Sequence, residues 1–218
     1  MIVFYKNYNR LERTYLSIQS VRYLFPEIEI HCLLLYKNDI NEYKKEHIKQ
    51  LQECNVILHF DKKKYDFGSS GAGSSINGYY FTEMLNKIHS LTKEKTKVLM
   101  MDEDNFFTTG ETLKFLINNE FDLAYGEWPH NIYSINASIL CINCNKLQNI
   151  FPLPERQEFI EDLLSKELID KCKKNNYVLK KIPTRNYIDY GGDGIFTNNI
   201  TDMINELEKF NIKYKLLS

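Results

Sequence analysis

No stretch of this chain approaches the ~18 consecutive apolar residues that a membrane-spanning helix requires. It also lacks an excess of either charge: 28 basic and 29 acidic side chains leave a formal net charge of -1. Nucleic acid is therefore not an expected partner, because binding a phosphate backbone needs a basic footprint. The one tight basic run, Lys62-Lys63-Lys64, reads as a solvated loop. The five cysteines are odd in number and irregular in spacing, which excludes a secreted disulfide framework. Cys141-Ile-Asn-Cys144 has redox-motif spacing, but it falls inside an apolar strand pattern rather than at a helix start. No further Cys or His stands at zinc-site spacing. The opening Met1-Ile2-Val3-Phe4-Tyr5 is too short for a secretory signal and has no basic flank, so a reduced, cytoplasmic location is expected. There is no internal repeat and no low-complexity tail.

What the chain does have is a regular alternation. Its 218 residues suffice for one domain, expected over 1–218. Residues 2–5, 28–36, 56–60 and 97–101 read as strands. Helices are expected over 9–25, 41–53 and 79–91, the first with Asn9 and Glu12 at capping-box spacing. The apolar runs are continuous, as in parallel strands buried on both faces. This order predicts an α/β fold with a mostly parallel central sheet. Beyond it, 111–118, 155–174 and a segment capped by Thr201 read as helices, and 121–125, 138–142 and 177–182 as strands. Fifteen Tyr and thirteen Phe offer flat, amphipathic side chains suited to a sugar or base site, although general core use explains most of them.

The chemistry concentrates in Val98-Leu99-Met100-Met101-Asp102-Glu103-Asp104, an apolar strand running straight into three acids. Carboxylates inside a buried strand are costly, whereas at its carboxyl end they reach the crevice where open α/β sheets bind ligands. Alternation puts Asp102 and Asp104 on one side if the extended form persists. Two such carboxylates make a hard-oxygen site for Mg²⁺ or Mn²⁺, completed by water and substrate phosphates. The plain alternative is an exposed acidic turn. The segment Gly68-Ser69-Ser70-Gly71-Ala72-Gly73-Ser74-Ser75 lacks the Gly-Lys-Ser/Thr ending of a phosphate-binding P-loop and is no dinucleotide fingerprint. It reads as a flap over a ligand or as a plain surface loop.

Three stretches in order resemble glycosyltransferases of the GT-A fold, and within it the family 8 group of glycogenin and bacterial galactosyltransferases. They are the strand and Asp102-Glu103-Asp104 with the following Asn105-Phe106-Phe107 and Gly110; Ile135-Asn136-Ala137-Ser138-Ile139; and Gly191-Gly192-Asp193-Gly194. The resemblance implies a nucleotide-sugar donor, a UDP-sugar by preference, a glycan or other hydroxyl acceptor, and Mn²⁺ or Mg²⁺ held by Asp102 and Asp104. Asp102 would also meet the ribose. It implies Tyr5, Tyr8 and Asn9 near base and ribose, Asp39 (or Asn38) at the base edge, and Asn77 in the donor wall. Asn136 and Asp193 would face the reacting sugar and acceptor. Ser138 and Gly194 depart from the Gly and Gln of the family pattern. The family's late His ligand has no counterpart, since the last histidine is His130. His130 with Trp128 offers an acceptor-stacking pair or simply a core plug. His31 and His59, both within strands, read as structural. The expected activity is metal-dependent sugar transfer, with retention of configuration the outcome that the family 8 resemblance implies. The alternatives are sugar-phosphate nucleotidyl transfer, which usually uses a Gly-rich basic loop where this chain has Lys6-Asn7-Tyr8-Asn9-Arg10, and a non-catalytic nucleotide- or sugar-binding module.

Overall fold

The computed structural model describes residues 1–7, 11–36, 39–62, 75–95, 97–102, 105–126, 136–154, 161–182, 195–196 and 199–217; at 42, 75–81, 136–138, 161–165 and 195–196 it describes the backbone alone. The elements run β1 (Ile2–Asn7), α1 (Leu11–Leu24), β2 (Glu29–Tyr36), a 3₁₀ turn (Ile40–Glu42), α2 (Lys45–Glu53), β3 (Val56–Lys62), α3 (Ser75–Thr92), β4 (Val98–Asp102), β5 (Asn105–Phe106) and α4 (Glu111–Asn118). They continue with β6 (Leu123–Gly126), β7 (Asn136–Ile142), a second 3₁₀ turn (Lys146–Asn149), α5 (Glu161–Lys174), β8 (Leu179–Lys181), β9 (Ile195–Phe196) and α6 (Ile200–Lys209).

Seven strands form one sheet in the order β3-β2-β1-β4-β7-β6-β8. β1 pairs in parallel with β2 and with β4, and β2 with β3. β7 runs antiparallel to both β4 and β6, while β6 and β8 are parallel. This is the expected α/β, mostly parallel sheet. Alternation along each strand feeds two cores. Val3, Ile30, Cys32, Leu34, Leu99 and Met101 face α1, α2 and α4. Ile2, Phe4, Leu33, Leu35, Val98 and Met100 face α3 and α5. Both faces are covered, which is why the strands read as unbroken apolar runs. A third cluster, Leu16, Phe106, Met203, Leu207 and Ile212, seats α6 on α1 and β5.

Several boundaries differ from expectation for physical reasons. β1 continues through Lys6 and Asn7, both buried, because two flanking strands pair with it. Lys62 lies within β3, not in a loop, and pairs with Tyr36; 63–64 lie outside the described residues. The helix expected from 41 splits, because the Asp39 carboxylate accepts from the Asn41 N–H at 2.9 Å and turns the chain first. α3 begins at Ser75, earlier than 79. The last helix is capped by Asn199, whose Oδ1 accepts from the Thr201 N–H at 2.9 Å; Thr201 is inside it. Of the helix expected over 155–174, the described part is 161–174. Among the described residues no helix is long and apolar enough to cross a membrane. Cys141 and Cys144 are reduced and buried; burial pushes the Cys141 thiol far up and the Cys144 thiol to about 11, the opposite of a redox-active pair.

Gly110 precedes α4 at φ 74°, and an added Cβ would stand 2.7 Å from Phe25 Cε2. Gly110→Ala is expected to cost about 2 kcal/mol from the left-handed backbone and the clash together. Chemical denaturation should show it as a lower midpoint with unchanged slope.

On the α3 side of the sheet, near β3, Glu29, His31 and His59 form a chain. Glu29 Oε1 accepts from His31 Nε2 at 2.7 Å, and His31 Nδ1 lies 2.8 Å from His59 Nε2. With His31 protonated on Nε2, His59 is the donor to Nδ1. Both rings pack on Phe4. Burial, then His31 and Lys87, hold the His59 pKa down, and burial does the same to His89, stacked on Phe151. Burial alone would raise the Glu29 carboxyl, but the His31 bond and Lys95 keep it below its ordinary value. For a depressed His the unfolded chain binds more protons. Its stabilisation is therefore complete above the ordinary imidazole value of about 6.5 and is lost as pH falls below it. The Tm is expected to drop between pH ~7.5 and ~5.5, and the His59→Gln, His89→Gln double variant should flatten that drop. An unchanged slope in the double variant would contradict the assignment.

Candidate active site

The sheet's topological switch lies at β1. After β1 the chain builds β2 and β3 on one side, then crosses to lay β4 on the other. Open α/β sheets bind ligands outside the carboxyl ends of their strands at such a point. β1 ends at Lys6-Asn7 and β4 ends at Asp102, with Lys6 and Asp102 directly paired. Lys6 is 3% exposed and its Nζ lies 2.6 Å from Asp102 Oδ1; the Asp102 side chain is 24% exposed. Alternation places both on the Phe4 and Met100 side of the sheet. The close carboxylate offsets the cost of burying the lysine's ammonium, so each side chain fixes the other.

On the opposite side, Asn7 is buried and its Nδ2 donates to Thr14 Oγ1 at 2.5 Å. The Tyr43 hydroxyl donates to the Leu35 carbonyl at 2.5 Å and lies 3.4 Å from Asn7 Oδ1. These bonds tie the ends of β1 and β2 to α1 and to the segment following β2. The Tyr5 hydroxyl lies 2.9 Å from Ser17 Oγ, and Ser17 Oγ donates to the Asn105 carbonyl. Burial raises the Tyr5 pKa far above its ordinary value. Tyr5, expected beside the base and ribose, is thus a core residue joining β1 to α1. Because β1 runs on through Asn7, Tyr5 is not at the strand's end.

Other expected site residues can be placed by their elements. Asp39 is exposed just beyond β2, where it holds the 3₁₀ turn. Asn136 opens β7, which runs against β4 with Met101 opposite Ile139, so β7 starts at the edge where β4 ends. Asn77 lies in the first turn of α3. The far end of that helix is fastened at the other edge, where His89 Nε2 and the Cys144 carbonyl are 3.1 Å apart. The start of α3 therefore belongs to the carboxyl edge. Asn105, directly after Asp104, pairs with Phe196, and Phe106 pairs with Ile195, two residues after Asp193. The small β5–β9 sheet thereby joins the chain following the Asp pair to the chain following Asp193. Tyr8, Asn9, Asn38, Asp104, Trp128, His130 and Asp193 lie outside the described residues.

The structure adds Lys6, Asn7, Thr14 and Ser17, none of them singled out from the sequence. A charged residue ending an apolar strand was the available signal for Lys6. Asp102 presents a partly exposed, hard carboxylate oxygen, which fits Mg²⁺ or Mn²⁺ as one ligand of a shell completed by phosphate and water. Among the described residues no three His, Cys, Asp or Glu side chains gather as a metal cluster.

No family model and no curated protein sequence matches the chain. Solved structures do. The inositol-1-phosphate CTP transferase from T. maritima has TM-score 0.58 and 10% identity, over 98% of this chain and 97% of that one. An active-site mutant of LgtC has TM-score 0.58 and 15% identity, over 100% and 85%. A fragment of TarS from S. aureus has TM-score 0.58 and 12% identity, over 96% and 63%. The chain has the GT-A fold.

Proposed function

We propose that this chain is a metal-dependent glycosyltransferase that moves a sugar from a nucleotide-sugar, a UDP-sugar by preference, to a hydroxyl of a glycan or other acceptor. The observation carrying this reading is Asp102 at the carboxyl end of β4, beside the switch point, as the first acid of Asp102-x-Asp104. The GT-A fold shared with the neighbours, one of them a variant of the galactosyltransferase LgtC, supports it. Asp104 is assigned as the chief ligand of Mn²⁺ or Mg²⁺, with Asp102 sharing the ion or meeting the ribose. When bound, the ion supplies positive charge to the departing diphosphate. Tyr8, Asn9 and Asp39 are assigned to base and ribose, and Asn77 to the donor wall. Asn136 and Asp193 are assigned to orienting the donor sugar and the acceptor hydroxyl, Asp193 by accepting its proton. Much of the acceleration in this reading comes from positioning. A cytoplasmic location accords with five free cysteines.

The test is a screen of UDP- and GDP-sugars with Mn²⁺ for slow donor hydrolysis. The expected result is release of nucleoside diphosphate from at least one donor, abolished by EDTA. Release from none contradicts the reading. The T. maritima neighbour favours a second reading, nucleotidyl transfer to a sugar phosphate. Pyrophosphate release from UTP or CTP in the presence of sugar phosphates would establish it instead.

A further inference from the structure

We infer that Lys6 is a built-in counter-cation for Asp102, so that the free protein holds a divalent ion weakly and takes it up with the nucleotide diphosphate, chiefly through Asp104. The inference deepens the proposed function and rests on it.

The Lys6 ammonium is 2.6 Å from Asp102 Oδ1. Its side chain is 3% exposed, and its backbone is held between β2 and β4. It therefore cannot withdraw into water when a second cation arrives. A divalent ion on the remaining oxygen, Oδ2, would share one carboxylate with a fixed ammonium, and the two cations would repel at short range. Asp102 then contributes little net charge to ion binding. The missing negative charge arrives with the diphosphate. The same bond restricts the carboxylate's rotation, so that Oδ2 is the oxygen left for a ligand. Lys6 is on this account a positioning residue with an electrostatic consequence.

The probe is Mn²⁺ alone, titrated into the full chain and followed by the electron paramagnetic resonance signal of the free ion, with and without UDP. Wild type is expected to bind Mn²⁺ weakly and to gain at least about tenfold in affinity when UDP is present. Lys6→Met, which keeps the stem and removes the charge, is expected to bind Mn²⁺ alone about tenfold more tightly than wild type. Lys6→Arg should stay at the wild-type value. A Lys6→Met affinity equal to or weaker than wild type overturns the inference while leaving the proposed function standing. Should Lys6→Met fail to fold, the double variant Lys6→Met, Asp102→Asn decides, because it removes both charges of the pair: a change of no more than about threefold in Mn²⁺ affinity supports the inference, and a loss as large as that of Asp104→Asn overturns it. Absence of Mn²⁺ binding by wild type, with or without UDP, overturns both readings together.

Discussion

Asp104→Ala is expected to reduce sugar transfer by roughly a hundredfold or more, because the positive charge on the leaving diphosphate is worth several kcal/mol in the transition state. The same substitution should abolish the rise in Tm that wild type shows with Mn²⁺ and UDP, since a ligand stabilises only the state that binds it. The Tm without ligand should change little. This combination separates loss of a ligand from loss of the fold. A variant that keeps its nucleotide-dependent shift, or that turns over at the wild-type rate, would remove Asp104 from the site.

The second large effect is on stability. Asp102→Ala takes from the buried Lys6 ammonium the carboxylate 2.6 Å away. Breaking a buried pair on one side costs about 3 kcal/mol, far more than the pair contributes net, because a charge is left in a poor environment. The double variant Asp102→Ala, Lys6→Met is expected to recover most of that loss. A double-mutant cycle by chemical denaturation measures the coupling. Additive losses would show that the two side chains do not depend on each other. The cycle also guards against misreading activity data, because an Asp102→Ala enzyme that is inactive through partial unfolding says nothing about the ion.

Much of the sheet was legible because its strands are apolar on both faces and its helices are separated by polar turns. α4 falls over Glu111–Asn118 as expected, and β4 starts and ends within a residue of expectation. What was not legible depended on partners distant in sequence. Lys6 and Asn7 look like the start of a loop, since charge and amide groups are costly in a strand. Their burial makes sense only once Asp102, Thr14 and Tyr43 are set around them. Tyr5 followed from the same reading: with two more strand residues after it, it stands inside β1 and not at its end, and its fully buried phenol meets Ser17 on α1. The cap of α6 was misplaced by two residues because Asn199 and Thr201 both suit an N-cap, and only the Asn199 to Thr201 bond distinguishes them. The place of Asp102 at the end of β4 was legible for a different reason. An apolar strand that ends in acids has few economical solutions, and the end of a central parallel strand is one of them. The small β5–β9 sheet, which ties the chain after Asp104 to the chain after Asp193, involves two-residue strands too short for any periodic signal.

The most direct test is anomalous diffraction from crystals grown with Mn²⁺ and UDP. The account predicts one manganese peak at the carboxyl edge between β1 and β4, bridging an Asp104 oxygen and the diphosphate. A map with the nucleotide elsewhere, or with Asp102 and Asp104 turned apart and no metal between them, would contradict it.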